Sequence, residues 1–219
     1  GVYAIDAASR EQWEAIEEFP PYEIAIEEGE ELFNTPFKNG KTYASCFRKG
    51  GIGVKGDFPY FNKETGRVHT LEYEINLCRE KNGEKPLKYQ KGQMASISAY
   101  MAYTTRGQKT NIKVPHDQRA IEAYNKGKQF YYARRGQLNM SCAHCHIDNS
   151  GNKIRADLLS PALGHLTHFP VYRSKWGGLG TVHRRFGGCN KQVRAKPFKP
   201  QSDEYRNLSL TALGELANK

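Results

Sequence analysis

The 219-residue chain carries 33 Lys and Arg against 23 Asp and Glu, a formal charge of +10 with an isoelectric point near 9.3. No apolar stretch reaches the roughly 18 residues of a membrane-spanning helix, and no helix-turn-helix, RRM or zinc-finger pattern accompanies the charge, which argues against nucleic acid. A basic surface without such motifs steers acidic partners or anionic substrates. The charge is uneven: Glu11, Glu14, Glu17, Glu18, Glu23, Glu27, Glu28, Glu30 and Glu31 crowd the beginning, whereas 173–199 is rich in Lys and Arg. Residue 1 lies in mature-looking sequence with no basic n-region or apolar h-region, so any signal peptide is expected to have been removed.

In chain order, a charged lead-in helix is expected over the first 20 residues, N-capped by Ser9 and stopped by Pro20-Pro21. Residues 22–33 suit a helix with one apolar face (Tyr22, Ile24, Ala25, Ile26, Leu32, Phe33). Asn39 to Gly66 is rich in glycine and lysine and reads as loop and short strand. Helical spacing returns over 92–104 (Met94, Ile97, Ala99, Tyr100, Met101, Tyr103), and 105–115, with Gly107 and Pro115, reads as a linker. A helix is expected over 116–134 (Ile121, Ala123, Tyr124, Phe130, Tyr131), then a long loop over 147–190. A last helix, about 206–217, carries Leu208, Leu210, Ala212, Leu213 and Leu216.

Between the last two helices stands Cys142-Ala143-His144-Cys145-His146. C-x-x-C-H is the attachment signature of a c-type haem: two thiols become thioethers and the adjacent histidine ligates the iron. Half of a zinc site would need a second ligand pair, and a redox dithiol would need a βαβ setting without the histidine. One covalent haem c is therefore expected, and with it an exported, periplasmic protein.

The halves resemble each other. Gly29-Glu-Glu-Leu-Phe33 precedes Ser45-Cys46 as Gly127-Lys-Gln-Phe-Tyr131 precedes Ser141-Cys142; Thr70 and Cys78 are spaced like Thr181 and Cys189; Ala95-Ser-Ile-Ser-Ala99 resembles Leu208-Ser-Leu-Thr-Ala212. The expected fold is mainly α, with two cytochrome c-like domains related by a degenerate internal repeat and joined by long loops. They span 1–104 and 116–219. Lys49 and Gly50 stand where the first would need its second cysteine and its histidine, so only the second is expected to bind haem. Five cysteines leave three outside the haem motif. Cys46 and Cys78 are the expected disulfide, the alternative being two free buried thiols, and Cys189 is left over.

His146 supplies one axial ligand. No methionine follows Met140, so the other position falls to His165, His168, His183, Cys189 or Lys191, or stays open. Cys189 occupies the position paired with Cys78, beside Gly187-Gly188, and neighbouring Arg and Lys favour a thiolate.

The run Gly127-Lys128, Ala133-Arg134-Arg135-Gly136-Gln137-Leu138-Asn139-Met140-Ser141-Cys142-Ala143-His144-Cys145-His146, followed by Arg184-Arg185-Phe186 and Cys189, resembles the SoxA family, the larger subunits of SoxAX cytochromes of bacterial thiosulfate oxidation. The likeness covers nearly the whole chain and fits single-haem members, since diheme members keep a second C-x-x-C-H where Lys49 and Gly50 stand. It implies oxidative conjugation of thiosulfate to a cysteine of a sulfur-carrier protein, and electron transfer through haem to a small monohaem cytochrome in a heterodimer. It implies too that Cys189 is the haem-ligating active-site cysteine and Arg185 the active-site arginine. Lys191 is expected as a second anion contact. The competing expectation is a non-catalytic electron-transfer cytochrome c, and a third is a haem sensor.

Overall fold

The computed structural model describes residues 1–155 and 157–217, and the side chains of 215–217, Leu216 among them, lie outside the described residues. The elements run α1 (Ala7–Ile16), α2 (Glu23–Asn34), β1 (Tyr60–Asn62), β2 (Arg67–His69), α3 (Leu71–Lys81), α4 (Gln93–Tyr103), α5 (Gln118–Tyr132), β3 (Lys153–Ile154), β4 (Asp157–Leu158), β5 (Val171–Arg173), β6 (Gly178–Gly180), α6 (Val182–Gln192) and α7 (Asp203–Ala217). The sheets are three small antiparallel hairpins, β1–β2, β3–β4 and β5–β6. The fold is thus mainly helical, and no described helix is long and apolar enough to cross a membrane.

Several elements differ from the sequence expectation. The cap of α1 is Asp6, whose carboxylate accepts from Ser9 N at 2.8 Å, because a β-region residue with a short acceptor just before the helix reaches back to the free amides. Helix α1 ends at Ile16, before Pro20-Pro21. The span 71–81, for which no helix is expected from sequence, forms α3: Thr70 caps it by accepting from Tyr73 N, and Leu71, Ile75 and Cys78 are buried. The end of the expected 147–190 loop is α6. Gly187 and Gly188 depress its local helix propensity, and the buried face of His183, Phe186 and Asn190 overrides them.

Several elements have a counterpart of the same type 111 positions later in the chain. Leu71–Lys81 corresponds to Val182–Gln192, Tyr60–Asn62 to Val171–Arg173, Arg67–His69 to Gly178–Gly180, and the cis prolines Pro59 and Pro170 correspond as well. Gly29 of α2 and Gly127 of α5 are the close-approach points. A Cβ on Gly29 would lie 2.1 Å from Ser96 O, and one on Gly127 2.1 Å from Asn207 O, so α2 meets α4 as α5 meets α7. This packing aligns Ser96 with Asn207. The similar strings at 95–99 and 208–212 are therefore two residues out of register: small residues recur along both helices, and only the backbone contact sets the alignment.

One core gathers Phe33, Tyr43, Leu71, Ile75, Met94, Ile97 and Met101. The other gathers Ala120, Tyr131, Phe186, Tyr205, Leu208 and Leu210, and takes Phe61 and Val68 from the β1–β2 hairpin. Reciprocally, Leu179 of β6 and Tyr172 of β5 pack on Ala95 and Ala99 of α4. Thr70 Oγ1 donates to Gln201 Oε1 (3.1 Å) and Thr181 Oγ1 to Tyr89 O (2.9 Å) across the halves. Ile112, within the expected linker, is buried in the second core, and Asn111 N donates to Gly56 O at 2.8 Å. That segment is packed against both halves. Cys46 and Cys78 form a disulfide, tying the turn before Arg48 to α3.

Candidate functional site

The site is built on the loop after α5, on the turn that follows it, and on α6. Gly136, with φ +70°, lets the loop run directly against the chain leaving α6: a Cβ there would lie 2.0 Å from Val193 O. Leu138 N donates to Val193 O (3.3 Å), and Arg135 and Met140 exchange backbone hydrogen bonds that close the loop. Ser141 then caps the motif turn, with its Oγ 2.8 Å from His144 Nδ1 and accepting from His144 N at 3.3 Å. Cys142 packs against the second core, and Cys145 and His146 follow on a wide helical turn, His144–Asp148.

His146 Nδ1 lies 2.8 Å from Ser160 O. A carbonyl only accepts, so Nδ1 carries the proton and Nε2 keeps its lone pair, the arrangement of a metal-ligating histidine. Burial holds the imidazole pKa below its ordinary value, against the Ser160 hydrogen bond that raises it, and the Arg185 charge lowers it further.

Cys142, Cys145 and Cys189 are free and half-buried. Burial pushes the Cys142 thiol up to about 12, with the Cys189 charge adding to the rise and Arg135 opposing it. Cys145 is raised by burial and by Cys189, while Arg185 opposes. Burial raises the Tyr131 hydroxyl far above its ordinary value, and all three sulfurs contribute. The three sulfurs and Tyr131 therefore share one electrostatic neighbourhood. Tyr131 Oη and His165 Nε2 are buried there with no hydrogen-bond partner among the described residues, and the His165 ring stands 4.5 Å from that of His146, edge to face.

Arg185 and Cys189 are four residues apart on α6 and face one side. Among the described residues no hydrogen bond or ion pair holds the Arg185 guanidinium, and its charge acts on Cys145, His146, His165 and Arg173. Lys191, two residues beyond Cys189, is exposed on a different side of the helix. His168 lies at the surface, stacked on Phe169. His183 is buried away from the cluster: its Nδ1 accepts from Gln201 N (3.1 Å) and its Nε2 faces Ser209 Oγ (3.2 Å), so it anchors α6. Sequence reasoning misses Tyr131 as a polar wall and Arg173, whose charge feels both Arg185 and Cys189. Neither belongs to a motif, and only the fold carries them here.

Free thiols at C-x-x-C, a histidine with a free Nε2 and unpartnered buried polar atoms fit a covalently held haem. A family profile described as "SoxA/TsdA, cytochrome c domain" matches residues 28–110, the half without C-x-x-C-H. The chain is 58% identical over 209 residues to the L-cysteine S-thiosulfotransferase subunit SoxA of Allochromatium vinosum, covering 95% of this chain and 74% of that one. It is 57% identical over 208 residues to the subunit of the same name from Chlorobaculum tepidum, covering 95% and 72%. The crystal structure of SoxXA from P. pantotrophus superposes with a TM-score of 0.81 at 34% identity, over 90% of this chain and 75% of that one. With identity of this depth along nearly the whole chain and the fold shared, the chain belongs to the SoxA family of cytochrome c-type L-cysteine S-thiosulfotransferase subunits.

Proposed function

We propose that Cys142, Cys145, His146 and Cys189 would hold one haem c, in the second of two cytochrome c-like modules derived from an internal duplication. The spacing of 111 between several elements and their counterparts supports the duplication. The modules span 1–104 and 116–219, with 105–115 connecting them. The Cys46–Cys78 disulfide supports a periplasmic location, since such bonds persist in oxidising compartments.

The reaction is oxidative conjugation of thiosulfate to a cysteine of a sulfur-carrier protein. Arg185 binds the sulfonate oxygens through its planar fork and aims the outer sulfur at Cys189. An S–S bond forms between that sulfur and the Cys189 sulfur, and two electrons leave. The carrier thiolate then attacks the outer sulfur, the bond to Cys189 breaks, and Cys189 returns as thiolate. In sum, carrier thiol and thiosulfate give carrier S-thiosulfonate, one proton and two electrons. When bound, the haem would supply a one-electron acceptor beside these sulfurs, so the two electrons would leave one at a time towards a small monohaem partner cytochrome. Lys191 contributes to the basic rim that draws in the dianion.

The observation that carries this reading is that an arginine unpartnered among the described residues and a free thiol share one face of α6, their charges felt at the C-x-x-C-H cysteines. Low-temperature EPR of the oxidised protein tests it. We expect a low-spin histidine/thiolate signal that is lost in Cys189→Ala, together with loss of thiosulfate- and carrier-dependent haem reduction. A signal and a reduction rate that survive the substitution would remove Cys189 from the haem and from the reaction, and a parent protein with no thiosulfate- and carrier-dependent reduction would leave a non-catalytic electron-transfer cytochrome instead.

A further inference from the structure

A cluster of exposed apolar side chains borders the turn that carries His146. Ile5, Ile147, Ile154 and Leu163 are each between 40 and 51% exposed. Two of them are fixed by the histidine itself: Ile147 is the next residue, and Leu163 follows Ala162, whose N donates to His146 O at 2.8 Å. Gly151 N donates to Leu159 O and Leu159 N to Asn152 O, both at 2.9 Å, closing the base of the β3–β4 hairpin that presents Ile154. The first residues of the chain lie against the same loop. Gly1 N donates to Leu163 O at 3.0 Å, and a Cβ on Gly151 would meet Ile5 Cδ1 at 3.8 Å. Ile5 leads straight into α1, and Tyr3 stacks on Trp13 of that helix with ring centres 5.4 Å apart. Two segments far apart in the chain thus build one apolar face. Apolar area kept in water costs about 25 cal/mol per Å², and a contiguous patch of it marks a surface that a partner covers.

The rim of this face carries a charge pattern. On the loop side Lys153 and Arg155 balance Asp148 and Asp157. On the α1 side Glu11, Glu14 and Glu18 are exposed and only Arg10 opposes them, paired with Glu14 at 2.9 Å. One edge is therefore acidic on a molecule of net charge +10, which suits a partner with a basic rim. The rate of electron transfer falls steeply with distance, so a protein that takes electrons from a centre held by His146 gains from sitting against this turn.

We propose that this face is where the small monohaem partner cytochrome docks. Ile5, Ile147, Ile154 and Leu163 form the apolar centre of the interface, and basic groups of the partner meet the α1 carboxylates. This rests on the proposed reaction, whose electrons need such an acceptor.

The test titrates the haem-loaded chain with the small cytochrome by calorimetry. Ile154→Asp places a charge within the apolar face and should raise Kd about tenfold or more. Ile5→Asp, on the other segment, should do the same, with the haem absorption spectrum and Tm of both variants matching the parent. Ile121→Asp alters an isoleucine on α5 that is 39% exposed, and should leave Kd unchanged. Changing Glu11, Glu14 and Glu18 together to Gln should raise Kd at about 0.05 M salt and not at about 0.5 M, where the charges are screened. A parent-like Kd in both Ile154→Asp and Ile5→Asp, or loss of binding in Ile121→Asp, overturns the docking face alone. So does a parent chain that self-associates by itself and is made monomeric by Ile154→Asp. A parent that does not bind the small cytochrome at all overturns the underlying reading of the partner, and the face with it.

Discussion

At the scale of single residues, the site depends on geometry that makes ordinary groups selective. His146 keeps Nε2 free because its Nδ1–H donates to Ser160 O, and the Arg185 guanidinium has no hydrogen-bond or ion-pair partner among the described residues, which is the ground for proposing that it binds the sulfonate. Replacing Arg185 with lysine separates charge from shape. A lysine keeps the attraction for a dianion and loses the planar bidentate fork. Arg185→Lys should raise KM for thiosulfate about tenfold and lower kcat as well, because the outer sulfur is no longer aimed at Cys189. Steady-state kinetics of the assembled enzyme checks this. Unchanged kinetics would mean that Arg185 acts only as a distant charge.

At the scale of elements, two helix crossings set the frame, and each depends on one glycine. In α5, Gly127 lies where Asn207 O and Thr211 Oγ1 of α7 would come within 2.1 and 2.3 Å of an alanine methyl group. Thr211 Oγ1 also donates to Tyr124 O at 2.6 Å, holding the crossing in register. Gly127→Ala must push α5 and α7 apart, at a cost of about 3 kcal/mol. For a chain of this size that lowers Tm by roughly 6–12 °C, measurable by circular dichroism on the haem-loaded protein. A glycine inside a helical pattern is costly unless something needs the space, and at Gly127 the backbone of α7 needs it. Helix α6 was not legible, since Gly187-Gly188 reads as loop and the buried contacts that overrule them come from α7 and the 196–201 segment.

At the scale of the whole molecule, the halves interlock through exchanged hairpins, and the seam between them carries buried polar residues. His183 and Glu72 occupy corresponding positions, each facing a serine of the last helix of its half: Ser209 for His183 and Ser98 for Glu72. Burial holds the His183 pKa down at about 4, with the Arg206 charge lowering it further and Glu72 opposing. The folded value lies below the ordinary value of about 6.5, so between the two the unfolded chain binds the proton and the folded chain does not. The stability from a neutral His183 is therefore complete above about pH 6.5 and is lost as pH falls towards 4, about 3 kcal/mol in all. Urea denaturation at several pH values across that window should show the decline. In His183→Asn, where Oδ1 can still accept from Gln201 N, the slope should flatten; an unchanged slope would assign the acid sensitivity to other groups.

By itself the sequence determined the cofactor motif, the family, the mainly helical class, and the Cys46–Cys78 pairing that the structure shows. These depend on local spacing or on counting: C-x-x-C-H needs five consecutive residues, and helices α2, α4, α5 and α7 carry their own periodicity. Only the tertiary structure decided that His165 stands edge to face against His146 and that Tyr131 shares the surroundings of the three sulfurs. It also decided the two-residue correction to the register between α4 and α7. Each of these is a relation between segments far apart in the chain, set by backbone approach at Gly29, Gly127 and Gly136 and by exchanged hairpins. Local sequence carries no record of such distances, because any small residue looks alike until another backbone is placed against it.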